Sequence, residues 1–184
     1  PYSPVDVSGL TSGVSALAAG HYHTCALMTS GGVKCWGNNG YGQLGDGTYI
    51  AHTAASPATQ VSAASAIVSG GESYCATTAV GTLECWGDDY YGQLGDGTNT
   101  NRAYPVAVSG ITSGAVKIAT HLWHSCAVFA SGTVKCWGRN DWGELGNNTT
   151  STSYVPVTVS GITNAVDITV TGYSSCAILA TGAV

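Results

Sequence analysis

The residues best able to do chemistry in this 184-residue chain are its seven cysteines. Six of them stand in three pairs whose members are ten positions apart: Cys25 and Cys35, Cys75 and Cys85, and Cys126 and Cys136. Thiols at such regular spacing form disulfides, bind a metal or stay as buried free thiols. No Cys-x-x-Cys occurs, and zinc ligands are rarely ten positions apart across a hairpin. Disulfides are therefore favoured over both alternatives, and Cys176 is predicted to be unpaired in this chain.

Each cysteine pair encloses a predicted β-hairpin with a three-residue loop. The last residue of such a loop usually adopts a left-handed conformation, which favours glycine. Glycine recurs at this place in every hairpin: Gly31, Gly81, Gly132 and Gly182. Opposed residues on antiparallel strands lie about 4.5–5.5 Å apart, within the reach of a disulfide. We therefore expect each bridge to hold its own hairpin together. Because disulfides persist in oxidising compartments, this pattern predicts a secreted or cell-surface protein.

The cysteines also mark an internal repeat. The first member of each pair, followed by Cys176, recurs at intervals of 50 or 51 residues, and each second cysteine opens Cys-Trp-Gly. This period divides the chain into units 1–53, 54–101, 102–152 and 153–184, the last one incomplete. An array of repeats buries its core between neighbouring units.

Every unit carries the signals of short strands, and none carries a sustained helical period. Runs rich in small and β-branched residues precede the hairpins, at 14–19, 64–69, 116–120 and 166–170. A segment with proline precedes each run, and the glycine-rich text after Cys-Trp-Gly predicts a tight ordered loop. About four short strands in roughly 50 residues are typical of a propeller blade. The predicted fold class is all-β, a β-propeller of four-stranded blades with about three and two-thirds repeats present.

One stretch of each unit resembles a known repeat. In the first unit His-Thr-Cys-Ala-Leu is followed by Cys-Trp-Gly-Asn-Asn and Gly-Gln-Leu-Gly-Asp-Gly-Thr, which is similar to the repeat of the regulator of chromosome condensation family. The resemblance covers essentially the whole chain and implies a propeller, usually of seven blades, that binds proteins through its faces and loops. The family includes a nuclear exchange factor, domains of large ubiquitin ligases and a secreted bacterial inhibitor of β-lactamases. Paired cysteines are not typical of its intracellular members, which argues against the nuclear role.

The other polar candidates favour structural roles. His23 recurs as His124, and we expect both imidazoles to pack between blades and to hydrogen-bond with backbone, whereas His21 is not repeated. Asp46 and Asp96 in Gly-Asp-Gly-Thr predict Asx turns, because a calcium ion needs six or more oxygen ligands. No nucleophile motif and no phosphate-binding loop occurs, so we predict no enzyme activity, no metal and no cofactor.

Two columns of aromatic residues are candidates for a binding surface. One precedes the first cysteine and the other follows Cys-Trp-Gly: Tyr22, Trp123 and Tyr173, and Tyr41, Tyr91 and Trp142. The alternative is that these rings stack between blades as core. The invariant tryptophans of Cys-Trp-Gly are instead predicted to be core: Trp36, Trp86 and Trp137. The position three residues after the second cysteine varies between copies, which indicates exposure: Asn38, Asp88 and Arg139.

Charge narrows the range of partners. Only 8% of the residues are charged, against about 25% in a typical domain, and the net charge of −5 includes no basic cluster. A nucleic-acid partner is therefore not expected. No apolar run approaches the ~18 residues of a membrane span. The expected partner is a protein, or other copies of the same chain.

The incomplete fourth unit leaves three ways to close the propeller. The first is that the chain is a segment of a protein of about seven units. The second is that two copies complete one ring, and the third is that copies stack into a fibre. The function that these observations favour is a non-enzymatic, extracellular protein-binding scaffold. The alternatives are a structural subunit of an extracellular fibre or surface layer, and an inhibitor of a secreted enzyme such as a β-lactamase.

Overall fold

The computed structural model describes residues 3–61 and 63–184, and the regular elements of this part of the chain are fourteen β-strands. The first sheet contains β1 (Val14–Ala19), β2 (His23–Met28), β3 (Val33–Gly37) and β4 (His52–Pro57). The second contains β5 (Ala64–Ser69), β6 (Ser73–Thr78), β7 (Leu83–Gly87) and β8 (Arg102–Ala107). The third contains β9 (Ala115–Thr120), β10 (His124–Phe129), β11 (Val134–Gly138) and β12 (Ser153–Thr158). The fourth contains β13 (Ala165–Val170) and β14 (Ser175–Leu179).

Each sheet is an antiparallel meander in which strands adjacent along the chain are adjacent in space. β1, β5, β9 and β13 contact one another in succession, which makes them the strands nearest the propeller axis. The prediction of an all-β propeller with four-stranded blades is confirmed.

The blades are offset from the sequence units. β4 crosses the division after residue 53, and β8 and β12 begin directly after the divisions at 101 and 152. The outer strand of each blade is therefore drawn from the start of the following unit. The unit bounds remain a proposal about the sequence repeat.

The second strand of each complete blade is covered on both faces. Five of the six residues of β6 are buried, and so are five of the six in β10. A strand packed on both faces does not show the alternation of a half-exposed strand. This explains why these strands show no regular alternation of apolar and polar residues, and why the core lies between blades rather than within one.

The structure joins the cysteines in the predicted pairs. Cys25 faces Cys35, Cys75 faces Cys85 and Cys126 faces Cys136 across the hairpins. The Cα atoms are 4.1, 4.1 and 4.0 Å apart, and each pair carries a disulfide. Cys176 is exposed and carries no disulfide. Each bridge closes a short loop within one hairpin, so it stabilises that hairpin and not the contact between blades.

Two tryptophans connect successive blades. The Trp86 and Trp137 side chains are fully buried, and their Nε1 atoms donate to the carbonyl oxygens of Gln43 (3.0 Å) and Gln93 (2.9 Å) in the preceding blade. The prediction that these rings form core is confirmed. Trp36 is half-buried, and the described residues include no blade before the first sheet that would cover it.

The Gly-Asp-Gly-Thr segments form the predicted Asx turns. Asp46 Oδ1 accepts from the amide nitrogen of Thr48 at 2.9 Å, and Asp96 Oδ1 accepts from that of Thr98 at 2.8 Å. In the third blade Asn147 Oδ1 accepts from the amide of the second residue after it in the same way. The change from Asp to Asn therefore preserves the turn.

The hairpin glycines combine two constraints. All four have φ between 79° and 85°, the left-handed region predicted for the last loop residue. A Cβ at Gly81 would lie 2.6 Å from the backbone nitrogen of Ala115 in the next blade, whereas one at Gly182 would meet nothing within 4 Å. The hairpin tip is thus also a contact between blades.

Substitutions at Gly81 and Gly182 distinguish the cost of backbone strain from the cost of a clash with the next blade. We expect Gly182→Ala to lower the free energy of unfolding by about 1 kcal/mol through the left-handed conformation alone. Gly81→Ala should cost about 1–3 kcal/mol more, because the new methyl group meets the backbone of the next blade. Denaturant unfolding with the disulfides intact measures both changes. Equal losses in the two variants would contradict the role assigned to the hairpin tip.

Candidate binding face

Both aromatic columns lie at the same end of the blades. One is in the loops that join the first and second strands, and the other is in the loops that join the third and fourth strands. In a four-stranded meander these two loops lie at one end, and the disulfide-bridged hairpins turn at the other. We call the end that carries the aromatic columns the loop face.

Three of the six predicted aromatic residues meet around an arginine. The ring centroids of Tyr91 and Trp123 are 6.4 Å apart, and those of Trp123 and Tyr173 are 5.0 Å apart. The Arg139 guanidinium carbon lies 5.4, 4.9 and 5.7 Å from the centroids of Tyr91, Trp123 and Tyr173. Arg139 Nε also donates to Asp141 Oδ2 at 2.7 Å. This arginine cluster joins the loops of three successive blades by cation–π contacts.

The other three predicted residues stand apart from that cluster. Tyr22 is 78% exposed, Trp142 is 75% exposed and Tyr41 is 45% exposed. They do not stack between blades as core, because a ring in that position would be buried. Variation between the copies indicates that position 139 is exposed. No pattern in the sequence predicts that the Arg139 side chain contacts the neighbouring rings.

A groove with a volume of about 720 Å³ opens on the loop face between the first and third blades. Its aromatic lining residues are Tyr41, Tyr49, Tyr90, Tyr91 and Trp123, and its polar ones include Asp88, Asn99 and Asn101. We call it the tyrosine groove. Sequence reasoning missed Tyr49, which is 55% exposed and has no counterpart in the other units. Tyr90, at 70% exposure, occupies a position where the other units have Gly40 and Asp141.

Below the loop face, each complete blade has a buried residue that organises the loop after Cys-Trp-Gly. Asn39 Oδ1 accepts from the amide of Leu44, and its Nδ2 donates to the carbonyl oxygens of Thr48 and Ile50, both at 3.1 Å. Asn140 makes the same set of hydrogen bonds in the third blade. An amide suits this place because it accepts on one side and donates on the other.

The second blade has Asp89 where the others have asparagine. Its Oδ1 accepts from the amide of Leu94 at 2.9 Å, and its Oδ2 lies 3.5 Å from Thr98 Oγ1. That hydroxyl donates to Asp96 Oδ1 at 2.7 Å, so it has no second proton for Asp89. Burial is the main reason that the pKa of Asp89 is raised to about 7, and the nearby carboxylates of Asp96 and Asp88 raise it further. The hydrogen bond from the Leu94 amide and the charge of Arg102 lower the pKa of Asp89, but by less. The protonated acid can donate as the asparagine amide does, and the carboxylate cannot.

The two repeated histidines are buried, and burial lowers the pKa of each to about 4. The His23 ring packs edge-on against Tyr74 of the next blade, with centroids 5.1 Å apart. His124 Nε2 lies 2.9 Å from the Ser175 hydroxyl oxygen. Packing between blades is confirmed, but the expected hydrogen bonds to backbone are wrong. Among the described residues, neither ring nitrogen of His23 finds a hydrogen-bond partner, and His124 uses a side chain.

The contact between His124 and Ser175 has the partners of a catalytic pair but not its geometry. The Ser175 hydroxyl donates to the carbonyl oxygen of Glu144 at 2.9 Å, as the Ser125 hydroxyl donates to that of Gln93. Its proton is therefore directed to backbone, and His124 Nε2 must donate to Ser175 instead of accepting from it. In the part of the chain that the structure describes, the opposite ring nitrogen, Nδ1, has no hydrogen-bond partner that would orient it. The arrangement is a packing contact of the repeat.

A smaller cavity of about 230 Å³ lies between the third and fourth sheets. Its lining includes Gly143, Glu144, Leu145 and Gly146. These residues correspond to the segment of the first blade against which Trp86 packs. This cavity therefore corresponds to the space that a tryptophan side chain fills between the earlier blades, and it is no separate chemical site.

Neither a metal centre nor a spanning helix emerges from residues 3–61 and 63–184. In that part of the chain, no three His, Cys, Asp or Glu side chains lie close enough to hold a metal ion. No helix in the same residues is long and apolar enough to cross a membrane.

The blades and their loops match a known class of propeller repeat. Residues 81–128 and 131–178 match the regulator of chromosome condensation (RCC1) repeat, and residues 14–43 and 116–143 match a second description of the same repeat. The chain belongs to the regulator of chromosome condensation repeat family.

Relatives of the chain are longer proteins. It is 32% identical over 140 residues to the probable E3 ubiquitin-protein ligase HERC4 of Homo sapiens, and the match covers 76% of this chain and 9% of HERC4. Its fold is similar to human WBSCR16, with a TM-score of 0.81, 22% identity, and coverage of 92% of this chain and 45% of that one. It is also similar to Prp20p of Saccharomyces cerevisiae, with a TM-score of 0.79, 20% identity, and coverage of 95% and 45%. The chain spans less than half the length of each.

The Asp89 position predicts a pH dependence of stability. A carboxyl group with a pKa of about 7 when folded, and an ordinary value near 3.8 when unfolded, binds more protons in the folded state between these pH values. Its contribution to the free energy of unfolding therefore falls as the pH rises from about 4 to about 7, by on the order of 4 kcal/mol. Asp89→Asn should remove this fall and make the protein more stable than the wild type at pH 8.5.

Denaturant unfolding at pH values from 4.5 to 8.5 measures the difference between the two proteins. The buried histidines contribute equally to both, so the difference isolates position 89. The matched reverse variant is Asn39→Asp, which should lose stability relative to the wild type as the pH rises from about 4 towards 7. Parallel pH profiles for the wild type and Asp89→Asn would show that Asp89 titrates normally.

Proposed function

We propose that this chain is a secreted, non-enzymatic scaffold that binds a protein through its loop face. The observation that carries the proposal is the set of exposed aromatic side chains at one end of successive blades, with Tyr22, Tyr90 and Trp142 each at least 70% exposed. Exposed large rings on a rigid frame are typical anchors of protein interfaces, since they bury much area and lose little conformational freedom.

The proteins to which this chain is similar support a binding role. The yeast relative Prp20p has been characterised for its binding properties to Gsp1p and histones. HERC4 is a probable ubiquitin ligase, but this chain matches only 9% of it. The groups that the fold brings together on the loop face are rings, amides and a few charges, which suit recognition better than bond cleavage.

The disulfides support an extracellular location. Three hairpins of the described chain each carry one, and cytosolic proteins rarely keep structural disulfides. The two structural relatives are each about twice as long as this chain, since it covers 45% of either. This is in keeping with the proposal that its units belong to a larger ring.

Removing the most exposed rings tests the proposed face. A Tyr22→Ser, Trp142→Ser double variant should weaken binding of the protein partner at least about 30-fold, the effect of losing about 2 kcal/mol at an interface anchor. Partners captured from extracellular fluid by the immobilised wild-type chain would be measured against both forms by biolayer interferometry.

The matched control is Val80→Ser. Val80 is 69% exposed, and it lies in the hairpin between β6 and β7 at the opposite end of the blade. The Val80→Ser variant should bind every partner with the affinity of the wild type. Partners that bind the double variant as tightly as the wild type would place the interface elsewhere, and loss of binding by Val80→Ser alone would assign it to the hairpin end.

A further inference from the structure

The tyrosine groove and the arginine cluster are neighbouring versions of one arrangement. Asp88 and Arg139 occupy the same repeat position, three residues after the second cysteine of their hairpins. In the third blade, this position places a guanidinium among the rings of Tyr91, Trp123 and Tyr173. One blade earlier it holds a carboxyl group, and the rings of Tyr91 and Trp123 line the groove beside it.

The groove combines ring surface with negative charge. Its lining contains five aromatic residues, one aspartate and no lysine, arginine or histidine. The Asp88 side chain is held in place, since its Oδ2 accepts from Gln93 Nε2 at 2.8 Å. Tyr90 is the most exposed of the rings, at 70%. A ligand in the groove therefore meets fixed acceptors and ring faces. The guanidinium beside the groove, that of Arg139, is already paired with the Asp141 carboxylate.

A cationic side chain matches these features better than a neutral ligand does. Ring faces attract guanidinium and ammonium groups through their quadrupole, and a carboxylate pairs with such a group by charge-assisted hydrogen bonds. The chain provides its own precedent, because Tyr91 and Trp123 already hold the guanidinium of Arg139 from one side. The net charge of −5 adds a long-range attraction for a basic partner.

We propose that the tyrosine groove binds an arginine or lysine side chain of the protein partner, with the cation paired to Asp88 and in contact with the rings of Tyr90 and Tyr91. The assignment rests on the proposed function, because the groove is part of the same loop face. It narrows the partner to a protein that presents a basic residue on an exposed loop or peptide.

The peptide acetyl-Gly-Arg-Gly-amide is a direct probe of the groove. Titrated into the ¹⁵N-labelled protein, it should cause saturable NMR shifts at the amides of Tyr90 and Tyr91 and at the Trp123 indole. The same peptide with citrulline in place of arginine has nearly the same shape and no charge. It should bind at least fivefold more weakly.

Variants locate the charge that the probe recognises. Asp88→Asn should weaken binding of the arginine peptide at least fivefold, and it should fold normally because Asn38 occupies this position in the first blade. Tyr90→Ser, at an exposed ring, should weaken it as well. The control Asp6→Asn removes the same charge outside the groove and should bind the peptide as the wild type does.

Three outcomes would overturn the assignment. They are equal binding of the arginine and citrulline peptides, unchanged binding by Asp88→Asn, and shifts at the groove residues caused by cellobiose but not by the arginine peptide. The last would make the groove a carbohydrate site.

The protein partner separates this assignment from the proposed function. If the partner keeps its affinity for Asp88→Asn but loses it for the Tyr22→Ser, Trp142→Ser variant, the scaffold function stands and the groove assignment fails. If the peptide binds as expected while no partner depends on Tyr22 and Trp142, the cation site stands and the proposed interface is wrong.

Discussion

The array of blades is built on one contact, the packing of a buried tryptophan against the preceding blade. Trp86 and Trp137 lie on the second-last strand of their own blades, yet their indole nitrogens donate to carbonyl oxygens of the blade before. The loop that receives the indole has no room for a side chain: a Cβ at Gly45 or Gly95 would lie 2.9 or 2.6 Å from the indole nitrogen. No blade can bury its own faces, so the fold exists only as an array.

The same contact fixes the loop face. The loops that carry the aromatic columns are the ones that receive the indoles, and buried Leu44, Leu94 and Leu145 anchor them from below. The residue at positions 39, 89 and 140 then ties each loop to its own blade by hydrogen bonds. Exposed rings on these loops therefore stand on a frame that is packed from beneath. Such a frame lowers the entropy cost of binding, because the surface is organised before a partner arrives.

Repetition of the backbone allows substitutions that change chemistry without changing shape. Asp89 lies where the first and third blades have asparagine. Asp88 and Arg139 occupy equivalent positions in the second and third blades. The strands around these sites keep the same register in each blade. Disulfides within the hairpins and indoles between the blades hold that register, so the chain can place an acid with a raised pKa, an arginine cluster and an open groove on three copies of one scaffold.

Residues close together in the sequence encode the elements whose causes are local. Strand positions, three-residue hairpins, the cysteine pairs and the Asx turns follow from residues within about ten positions of one another, and turn chemistry at that range is encoded directly. Features that depend on a neighbouring blade are established only in the folded array. Folding divides the six aromatic residues into cluster members and exposed rings, and it gives His124 a serine partner one blade away. Contacts at these places are made by residues 30 to 50 positions distant, such as the Glu144 carbonyl oxygen for Ser175 and the Tyr91 ring for Arg139, which no local pattern contains.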